Sequence, residues 1–541
     1  MKRTAALRRY LTSFDTARLP QVFTDVVVVG SGVAALRAAI EIAQGAQVTL
    51  LTKGRLIDSN SYHAQGGIAA VVTSVDSIES HVADTLATGC GLSDEPVVRQ
   101  VVAAAPDCIK ELLEWGAAFD RTKGDLSVAR EGGHSAARIL HARGDETGKE
   151  ITNALLAHAS AAEALDVREE TFAIDLLSVD HRVVGILAWN PRQGVYAVRA
   201  RRTVLATGGL GRLYRETTNP EVATGDGLAM AYRAGAVLAD LEFVQFHPTT
   251  LYIAGASRHL ISETVRGEGG RLVDKAGKPF MQDYSPMGDL APRDVVSRAI
   301  IEHMQRTGAT NMYLDLTHLG VGVRKRFPGI AKTCAQFDID IAKDLIPVRP
   351  SAHYMVGGVK VDRVGRTSLE NLYACGEVSS TGLHGANRLG SNSLLEGLVY
   401  GRAAGRQMLE DLSHNEPRSE PERLRSEISQ STRGELNMGD VASSLRAVMW
   451  RKVGIVRQHD DLVEAAGLIE FWQSYVLDKV FDQPFGWELQ NMLTLGRLIA
   501  RAADLRTETR GVHYRSDFPA RDDARWMKHI LVERDRDARM E

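Results

Sequence analysis

The segment of this 541-residue chain that most constrains its fold is DVVVVGSGVAALRAAIEIAQGAQVTLLT, residues 25–52. The run VVVV is typical of a strand buried on both faces of a parallel sheet. The apolar spacing after it predicts a helix with Gly45 as its C-cap, followed by a second strand, VTLLT. Gly30, Gly32 and Ala35 give the intervening turn a GxGxxA pattern. This βαβ unit predicts a dinucleotide site, where a pyrophosphate meets backbone N–H groups at a helix N-terminus.

The residues after the second strand bear on which dinucleotide binds. Thr52 and Lys53 stand where an NAD-binding fold places an acidic ribose ligand, so NADP, with Lys53 on its phosphate, is one alternative. Two later strand-and-glycine segments favour FAD, because two-dinucleotide-binding flavoproteins return to the FAD with such segments. These are TVLATGG at 203–209 and NLYACGEVS at 371–379, the second with Glu377 just past its strand.

Charge and cysteine content exclude several classes of function. A formal net charge of -3 gives no electrostatic case for nucleic acid. The four cysteines lie far apart without CxxC spacing, so neither a metal site nor an iron–sulfur ligand set is expected, and a reduced cytoplasmic setting fits. The longest apolar runs are too short for a membrane span.

At this length several domains are expected. Helical patterns lie at 94–115 and 148–164, and TFAIDLLSV with RVVGILAW predicts a hairpin. The predicted fold class is α/β: a Rossmann-like FAD-binding domain with an inserted α+β capping domain and a C-terminal helical domain. The expected boundaries are a basic, solvated N-terminal tail at 1–22 (or, alternatively, a transit peptide), the discontinuous FAD-binding domain at 23–244 and 345–412, the capping domain at 245–344, and the helical domain at 420–541.

A group of cationic, imidazole and hydroxyl side chains lies in and beside the predicted insertion. Small polyanions are held best by arginine forks and histidines in a dry cleft. Taken singly, each residue has an ordinary structural explanation, such as a hydrogen-bonded histidine or a helix ion pair. Their number around one insertion favours a substrate site. The candidates are His247, Ser262, Glu263, Arg266, Arg293, His353 and Arg388.

Long motifs in a fixed order carry a family resemblance that covers nearly the whole chain. They include VVVVGSGVAAL, YHAQGGIAAV, AREGGHSAARILHA, EFVQFHPT, RGEGG, LAPRDVV, AHYMVGGV and HGANRLGSNSLLEG. The sequence resembles the succinate dehydrogenase and fumarate reductase flavoprotein family. The resemblance implies a flavin-dependent oxidoreductase that acts on a small dicarboxylate.

The resemblance also assigns roles to individual residues. The ligands of the substrate carboxylates would be Arg388, His247, Ser262 and His353. Proton transfer at the substrate would involve Arg293, and a relay of Glu263 and Arg266 would supply the protons to it. Guanidinium is a very poor base at neutral pH, so in an amine-oxidising direction Arg293 is expected to act mainly as an electrostatic clamp.

The cofactor contacts implied by the resemblance follow the chain. They are Gly30, Ser31, Gly32 and Ala35 at the pyrophosphate turn, Lys53 on the adenosine side, Asn60, Ser61, Gln65, Gly66 and Gly67 in the flavin loop, and Asp226, Glu377, Ser393 and Leu394 at later contacts. Respiratory members attach FAD covalently through a histidine five residues before the Gln of AQGG, where this chain has Asn60. Noncovalent FAD is therefore expected.

Glu131, in AREGGH, distinguishes between branches of the family. A carboxylate near the second carbon of a substrate would pair with an ammonium group, whereas succinate or fumarate would leave it unpaired. The ordinary alternative is a surface or helix-terminal carboxylate. The resemblance thus favours oxidation of L-aspartate to iminoaspartate, with O2 or fumarate reoxidising the flavin and quinolinate synthase consuming the imine in NAD biosynthesis.

Two other functions remain open from the sequence. One is a soluble fumarate reductase, which would use the same dicarboxylate clamp. The other is an electron-relaying subunit docked to an iron–sulfur partner in a membrane complex, and Asn60 in place of the linking histidine speaks against it.

Overall fold

The computed structural model describes residues 8–256, 258–413, 422–429, 431–434 and 436–541. The helices in these residues are α1 (Val33–Ile42), α2 (Ile78–Thr88), α3 (Glu95–Glu114), α4 (Thr147–Ala159), α5 (Asp226–Ala234), α6 (Thr264–Gly267), α7 (Arg293–Thr307), α8 (Val323–Arg326), α9 (Pro328–Ala335), α10 (Asn392–Ser413), α11 (Met438–Lys452), α12 (His459–Val476), α13 (Pro484–Leu505) and α14 (Asp523–Trp526). The strands are β1 (Phe14–Asp15), β2 (Gln21–Val29), β3 (Val48–Leu51), β4 (Ile68–Ala69), β5 (Arg121–Thr122), β6 (Asp125–Leu126), β7 (Val128–Ala129), β8 (Ile139–Leu140), β9 (Leu165–Arg168), β10 (Phe172–Val179), β11 (Arg182–Asn190), β12 (Gly194–Leu205), β13 (Leu238–Ala239), β14 (Val244–Leu251), β15 (Arg271–Val273), β16 (Met312–Asp315), β17 (Ile346–Met355), β18 (Gly358–Lys360), β19 (Leu372–Ala374), β20 (Ser379–Ser380), β21 (Arg425–Ser426), β22 (Ile530–Val532) and β23 (Arg539–Met540).

The central sheet confirms the α/β fold class. Its strand order is β10-β11-β12-β2-β3-β9, with β19 also paired to β12. The pairs β12–β2, β12–β19, β2–β3 and β3–β9 are parallel. Strands β10, β11 and β12 form an antiparallel meander that contains the predicted hairpin. Val26, Val27 and Val28 of β2 are fully buried, as a strand covered on both faces requires.

Helix α10 lies close against α1 because glycines on α10 face it. A Cβ on Gly401 would lie 2.7 Å from the carbonyl oxygen of Ala34, and one on Gly405 would lie 2.6 Å from the Cβ of Glu41. Side chains at these positions would push the helices apart. The close contact fixes the start of α10 beside the first turn of α1, where the dinucleotide pattern lies.

The inserted segment folds around an antiparallel sheet of its own, ordered β14-β17-β16-β15. Its core includes Leu272, Val296, Ile300 and Leu314, packed between this sheet and α7. The strands that enter and leave the segment, β14 and β17, are hydrogen-bonded neighbours with His247 opposite Ser351. The sheet extends along β17 to Met355, past the expected boundary at residue 344.

The C-terminal segment is mainly helical and packs on the FAD-binding part of the chain. Helices α11, α12 and α13 contribute Leu445, Leu462 and Leu493 to the core that also contains the central sheet. Strand β22 pairs with β13, so the last residues complete a second sheet. No helix in the part of the chain that the structure describes is long and apolar enough to cross a membrane. In the same residues, no group of acidic, histidine and cysteine side chains has the arrangement of a metal site.

Three local predictions were wrong. Residues 8–22 are not a solvated tail: Leu11 is 4% exposed and packs with Phe14 against the central sheet, and its backbone N–H donates to Asp175 Oδ2 at 2.8 Å. Helix α1 ends at Ile42 with Ala43 as its C-cap, so Gly45 lies beyond the cap. Helix α4 ends at Ala159, because the following residues must turn into β9.

Candidate active site

A long cleft opens at the carboxyl ends of β2, β12 and β19, where α/β sheets bind ligands. The structure brings most of the expected cofactor residues to its wall. These are Gly30, Ser31, Gly32, Lys53, Asn60, Ser61, Asp226, Glu377, Ser393 and Leu394. Four expected residues do not line the cleft: Ala35, Gln65, Gly66 and Gly67. Ala35 is fully buried in α1, where it packs the helix in the core, so its small side chain serves packing.

The turn between β2 and α1 fits a dinucleotide pyrophosphate. Gly30 has φ +127°, and a Cβ there would lie 2.1 Å from the carbonyl oxygen of Ala206. Helix α1 has no side-chain N-cap, and its first N–H, that of Val33, donates to Ser61 Oγ at 3.1 Å. Ser31, Gly32 and Ala34 also line the cleft, so their backbone N–H groups can bind an anion there.

Lys53 is held by two carboxylates. Its Nζ lies 2.7 Å from Asp226 Oδ2 and 2.5 Å from Glu488 Oε1. Burial works against the charge, but the two carboxylates outweigh it and raise the pKa of Lys53. A lysine compensated in this way is a poor ligand for the extra phosphate of NADP, which argues against that alternative. Glu488 comes from α13 and was not expected from the sequence.

Asn60, which stands where the family resemblance would place a linking histidine, lies in the cleft. Its amide donates to Glu377 Oε2 at 3.1 Å and to Asn219 Oδ1 at 3.3 Å. Glu377 in turn accepts the backbone N–H of Met355 at 2.9 Å. Burial raises the pKa of Glu377 to about 6.

Two arginines meet at one amide oxygen. Oε1 of the buried Gln245 accepts from Arg388 Nε at 3.2 Å and from Arg293 Nη1 at 3.3 Å. The amide nitrogen of Gln245 donates to the Arg388 carbonyl at 2.8 Å and to Asn387 Oδ1 at 2.9 Å, which fixes the orientation of the amide. Gln245 lies two residues before His247 in EFVQFHPT, and unlike the histidine it was not expected from the sequence.

Arg388 is also held from its other sides. Its guanidinium carbon lies 4.3 Å from the centre of the Tyr354 ring, and its Nη1 donates to Ser393 Oγ at 2.7 Å. Burial, with repulsion from Arg293, lowers the pKa of Arg388 to about 10. The group remains a cation at neutral pH and is short of negative partners.

His247 and His353 face each other across the paired strands β14 and β17, with ring centroids 5.2 Å apart. His353 Nδ1 lies 2.9 Å from Thr218 Oγ1, and His247 Nδ1 lies 3.2 Å from the Thr249 carbonyl oxygen. Burial, together with nearby arginines, lowers the pKa of both histidines well below the usual value. Both rings are therefore neutral at pH 7.

Three of the expected residues form a chain of ion pairs. Arg293 Nε lies 2.6 Å from Glu263 Oε2, and Arg266 Nη2 lies 3.1 Å from Glu263 Oε1. Burial works against the Glu263 charge, but the two arginines outweigh it and lower the pKa of that carboxyl. Ser262 lies beside this chain, with its Oγ 3.0 Å from Thr264 Oγ1.

Glu131 is 3% exposed, which rules out the surface-carboxylate alternative. Its Oε1 accepts from Thr264 Oγ1 at 2.9 Å and its Oε2 from Ser391 Oγ at 2.7 Å. A Cβ on Gly390 would lie 2.9 Å from Arg293 Nη2 and 3.3 Å from Glu131 Oε2, so the carboxylate and the guanidinium flank the same glycine. A buried carboxylate with neutral hydroxyl partners can accept a cationic ligand.

Comparison with known proteins identifies the chain's relatives. Residues 25–394 match a family model described as an FAD binding domain, and residues 442–541 match one described as the fumarate reductase flavoprotein C-terminus. The chain is 42% identical to the L-aspartate oxidase of Streptomyces coelicolor over 94% of this chain and 91% of that protein. It is 43% identical to the L-aspartate oxidase of Yersinia pestis over 92% and 96% of the two chains.

The chain belongs to the L-aspartate oxidase family. The resemblance found in the sequence is thereby confirmed, as are the FAD cofactor and the oxidoreductase class.

Solved structures of other proteins superpose on this L-aspartate oxidase family member. A quinol fumarate reductase of E. coli superposes with a TM-score of 0.88 at 34% identity, covering 97% of each chain. A Mycobacterium smegmatis Sdh1 structure in complex with UQ1 gives a TM-score of 0.82 at 32% identity, covering 95% of this chain and 92% of that one. This L-aspartate oxidase family member thus shares its fold, along nearly its whole length, with a quinol fumarate reductase and an Sdh1 protein.

Proposed function

We propose that the chain oxidises L-aspartate to iminoaspartate. The observation that carries this proposal is the buried carboxylate of Glu131, whose two oxygens accept hydrogen bonds from the neutral hydroxyls of Thr264 and Ser391. A dicarboxylate without an amino group would leave this buried carboxylate with hydroxyl donors and no cationic group of the ligand to pair with, at a cost in free energy. The α-ammonium group of aspartate supplies the missing charge.

The two carboxylates of aspartate meet the two arginines. Arg388 and Arg293 carry more positive charge than Gln245 can compensate, and arginine forks bind carboxylates in two-point contacts. The neutral rings of His247 and His353 add hydrogen-bonding groups without adding charge. Together these side chains orient the substrate so that the hydrogen on C2 faces the flavin side of the cleft.

The cleft residues would hold FAD with its pyrophosphate at the turn of Gly30 and its ring system near Asn60 and Glu377. Bound FAD supplies the two-electron acceptor for the hydride that leaves C2. The carboxamide of Asn60 already donates to two acceptors and is not a nucleophile, so we propose that the flavin is bound noncovalently.

Precipitation of the protein with acid tests the noncovalent flavin. We expect all of the flavin in the supernatant, and none migrating with the polypeptide on a denaturing gel. His63 also lines the cleft, and flavin that stayed with the wild-type chain but not with a His63→Ala variant would identify an unexpected linkage and contradict the proposal.

In the oxidative half of the cycle, either O2 or fumarate is proposed to accept the two electrons and reoxidise the flavin. The series of ion pairs from Arg266 through Glu263 to Arg293 then provides a route for a proton to fumarate. During aspartate oxidation Arg293 acts as a clamp, since guanidinium does not give up its proton readily. Iminoaspartate hydrolyses in water, so an enzyme that condenses it, as quinolinate synthase does in NAD biosynthesis, is proposed to follow.

Anaerobic mixing of the purified protein with L-aspartate, D-aspartate or succinate tests the function. We expect L-aspartate to bleach the visible flavin absorbance, with little or no bleaching by the other two. Bleaching by succinate without bleaching by L-aspartate would instead establish a soluble fumarate reductase. A chain that no dicarboxylate reduces would point to an electron-relaying subunit.

A further inference from the structure

The Gly390–Ser391 turn connects the substrate arginine to the flavin contacts at the start of α10. Ser391 adopts the left-handed conformation at φ +63°, which is unfavourable for a residue other than glycine. Its hydroxyl nevertheless reaches Glu131 Oε2 at 2.7 Å, and its carbonyl accepts the N–H of Ala69 at 3.0 Å. Contacts from outside the turn must therefore hold Ser391 in this conformation.

His134 contacts this turn directly. Its Nε2 lies 3.1 Å from the Gly390 carbonyl oxygen, and its Nδ1 lies 3.2 Å from Arg138 Nη1. A guanidinium can only donate, so Nδ1 of His134 must accept and the ring proton must be on Nε2. The neutral ring then donates to the Gly390 carbonyl. Both ends of the imidazole are used, and its tautomer is fixed.

Arg138 is anchored in turn. It makes a two-point ion pair with Asp76, with both N–O distances 2.8 Å, and a third contact with Asp84 Oδ2 at 2.5 Å. The guanidinium is fully buried and cannot change rotamer without breaking these bonds. The series from Asp76 through Arg138 to His134 and Gly390 is a rigid support behind the substrate site.

We propose that His134 is a positioning residue that sets the preference for an amino dicarboxylate, by fixing the Gly390 carbonyl and so keeping the Ser391 hydroxyl on Glu131. This inference rests on the proposed function. Release of the turn would rotate the Glu131 carboxylate, which meets the substrate ammonium. Arg388 would keep its own support from Gln245 and Tyr354, so binding of the carboxylates would change less.

A matched pair of substitutions tests the hydrogen bond. In His134→Gln the side-chain amide reaches the place of Nε2 and can still donate to Gly390, whereas in His134→Asn it ends at the place of Nδ1. Loss of one buried hydrogen bond predicts a KM for L-aspartate that rises about tenfold in the Asn variant and much less in the Gln variant. The KM for fumarate should stay within about twofold of wild type in both, since fumarate has no ammonium group.

The measurements use the FAD-loaded full chain, with flavin content and melting temperature recorded for every variant. Equal effects of Asn and Gln, or an equal rise in the KM for fumarate, would overturn the role of His134. If the Asn variant fails to fold, Ser391→Ala tests the same inference, because it removes the hydroxyl that donates to Glu131. This variant must raise the KM for L-aspartate and not that for fumarate. An equal rise in both KM values contradicts the inference. If the wild-type chain does not oxidise L-aspartate, the proposed function is wrong, and so is this inference. If the wild-type chain oxidises L-aspartate and only the variants behave differently from expectation, this inference alone is wrong.

Discussion

At the scale of single residues, the substrate site holds more positive than negative charge. Arg293 and Arg388 share one neutral amide oxygen, and the carboxylate of Glu263 is already shared between Arg293 and Arg266. Like charges held this close in a buried cleft raise the free energy of the ligand-free protein. A dianionic ligand relieves that repulsion, so we attribute much of the affinity for dicarboxylates to it.

The first prediction concerns Glu131. In Glu131→Gln the amide keeps the approximate shape of the side chain but loses the charge that pairs with the ammonium group. A hydrogen bond to a charged group contributes about 1.5–3 kcal/mol, so kcat/KM for L-aspartate should fall about ten- to a hundredfold. Steady-state kinetics with L-aspartate and with fumarate as alternative substrates measure this, and an equal loss with both would contradict the assignment.

The second prediction concerns pH. Burial raises the pKa of Glu377 to about 6, above the usual value of a glutamate, so the folded protein holds this proton more tightly than the unfolded chain. Below pH 4.5 this contribution of Glu377 to the free energy of unfolding is fully present, and it is lost as the pH rises through 6. The loss amounts to about 2 kcal/mol. Glu377→Gln should therefore melt higher than wild type at pH 8, and by less at pH 5. A melting difference that is constant with pH would contradict this.

The charged residues of the proposed site stand out in the sequence, whereas the neutral residues that orient them do not. Arg388 and His353 stand out because a charged or imidazole side chain is unusual among glycines and other loop formers. Gln245, Thr264 and Ser391 do not stand out, since amides and hydroxyls are common in any sequence. Their role is apparent only once the fold brings them to their partners.

At the scale of elements, the β2–α1 turn could be predicted and the N-terminal segment could not. A strand, a glycine turn and a helix that follow one another in sequence form a local unit, so their pattern is sufficient. Leu11 and Phe14 instead pack on residues such as Leu187 and Trp487, far away in sequence. Two apolar side chains in a basic stretch carry no periodicity that would reveal such a contact.

The third prediction tests the turn. Gly30→Ala introduces a Cβ 2.1 Å from a backbone oxygen at a φ of +127°, so the end of β12 must move. We expect a protein that is purified with little flavin and has a lower melting temperature. The control is Gly467→Ala on the exposed face of α12, where a Cβ has no atom within 4 Å; it should retain flavin and gain about 0.5–1 kcal/mol of stability.

At the scale of the whole molecule, the C-terminal segment is joined to the rest by buried charge. Glu508 accepts from Arg506 at 3.0 Å and from Arg510 at 2.6 Å, and Arg506 also pairs with Glu242, just before β14, at 2.7 Å. All four side chains are fully buried. Charge pairs in this setting lower the free energy only while both partners are present.

The fourth prediction follows from this network. Glu508→Gln leaves two buried guanidinium groups without their shared carboxylate and should cost about 3–5 kcal/mol of folding free energy. Differential scanning calorimetry measures the loss. The control is Glu464→Gln, whose side chain is 59% exposed and pairs with Lys452 at 3.0 Å; it should change the stability by less than about 1 kcal/mol. Equal melting curves for the two variants would show that the buried network contributes little.

The order of segments was predictable from the sequence, whereas the contacts between segments were not. Composition and motif order indicate an insertion before the last FAD strand and helices after it. That Glu488 of α13 reaches Lys53 in the cofactor cleft has no local signal, because the two residues are separated by most of the chain. A C-terminal truncation before α13 would remove this contact as well as part of the core.

The pairing of β14 with β17 has a consequence for how substrate enters and leaves. The two strands that connect the inserted segment to the rest of the protein are hydrogen-bonded to each other, so His247 and His353 must move together. Arg293, at the start of α7, belongs to the inserted segment, while Arg388 stays with the start of α10. A swing of the insertion about this double-stranded joint would draw the two guanidinium groups apart and release both ends of a bound dianion in a single movement.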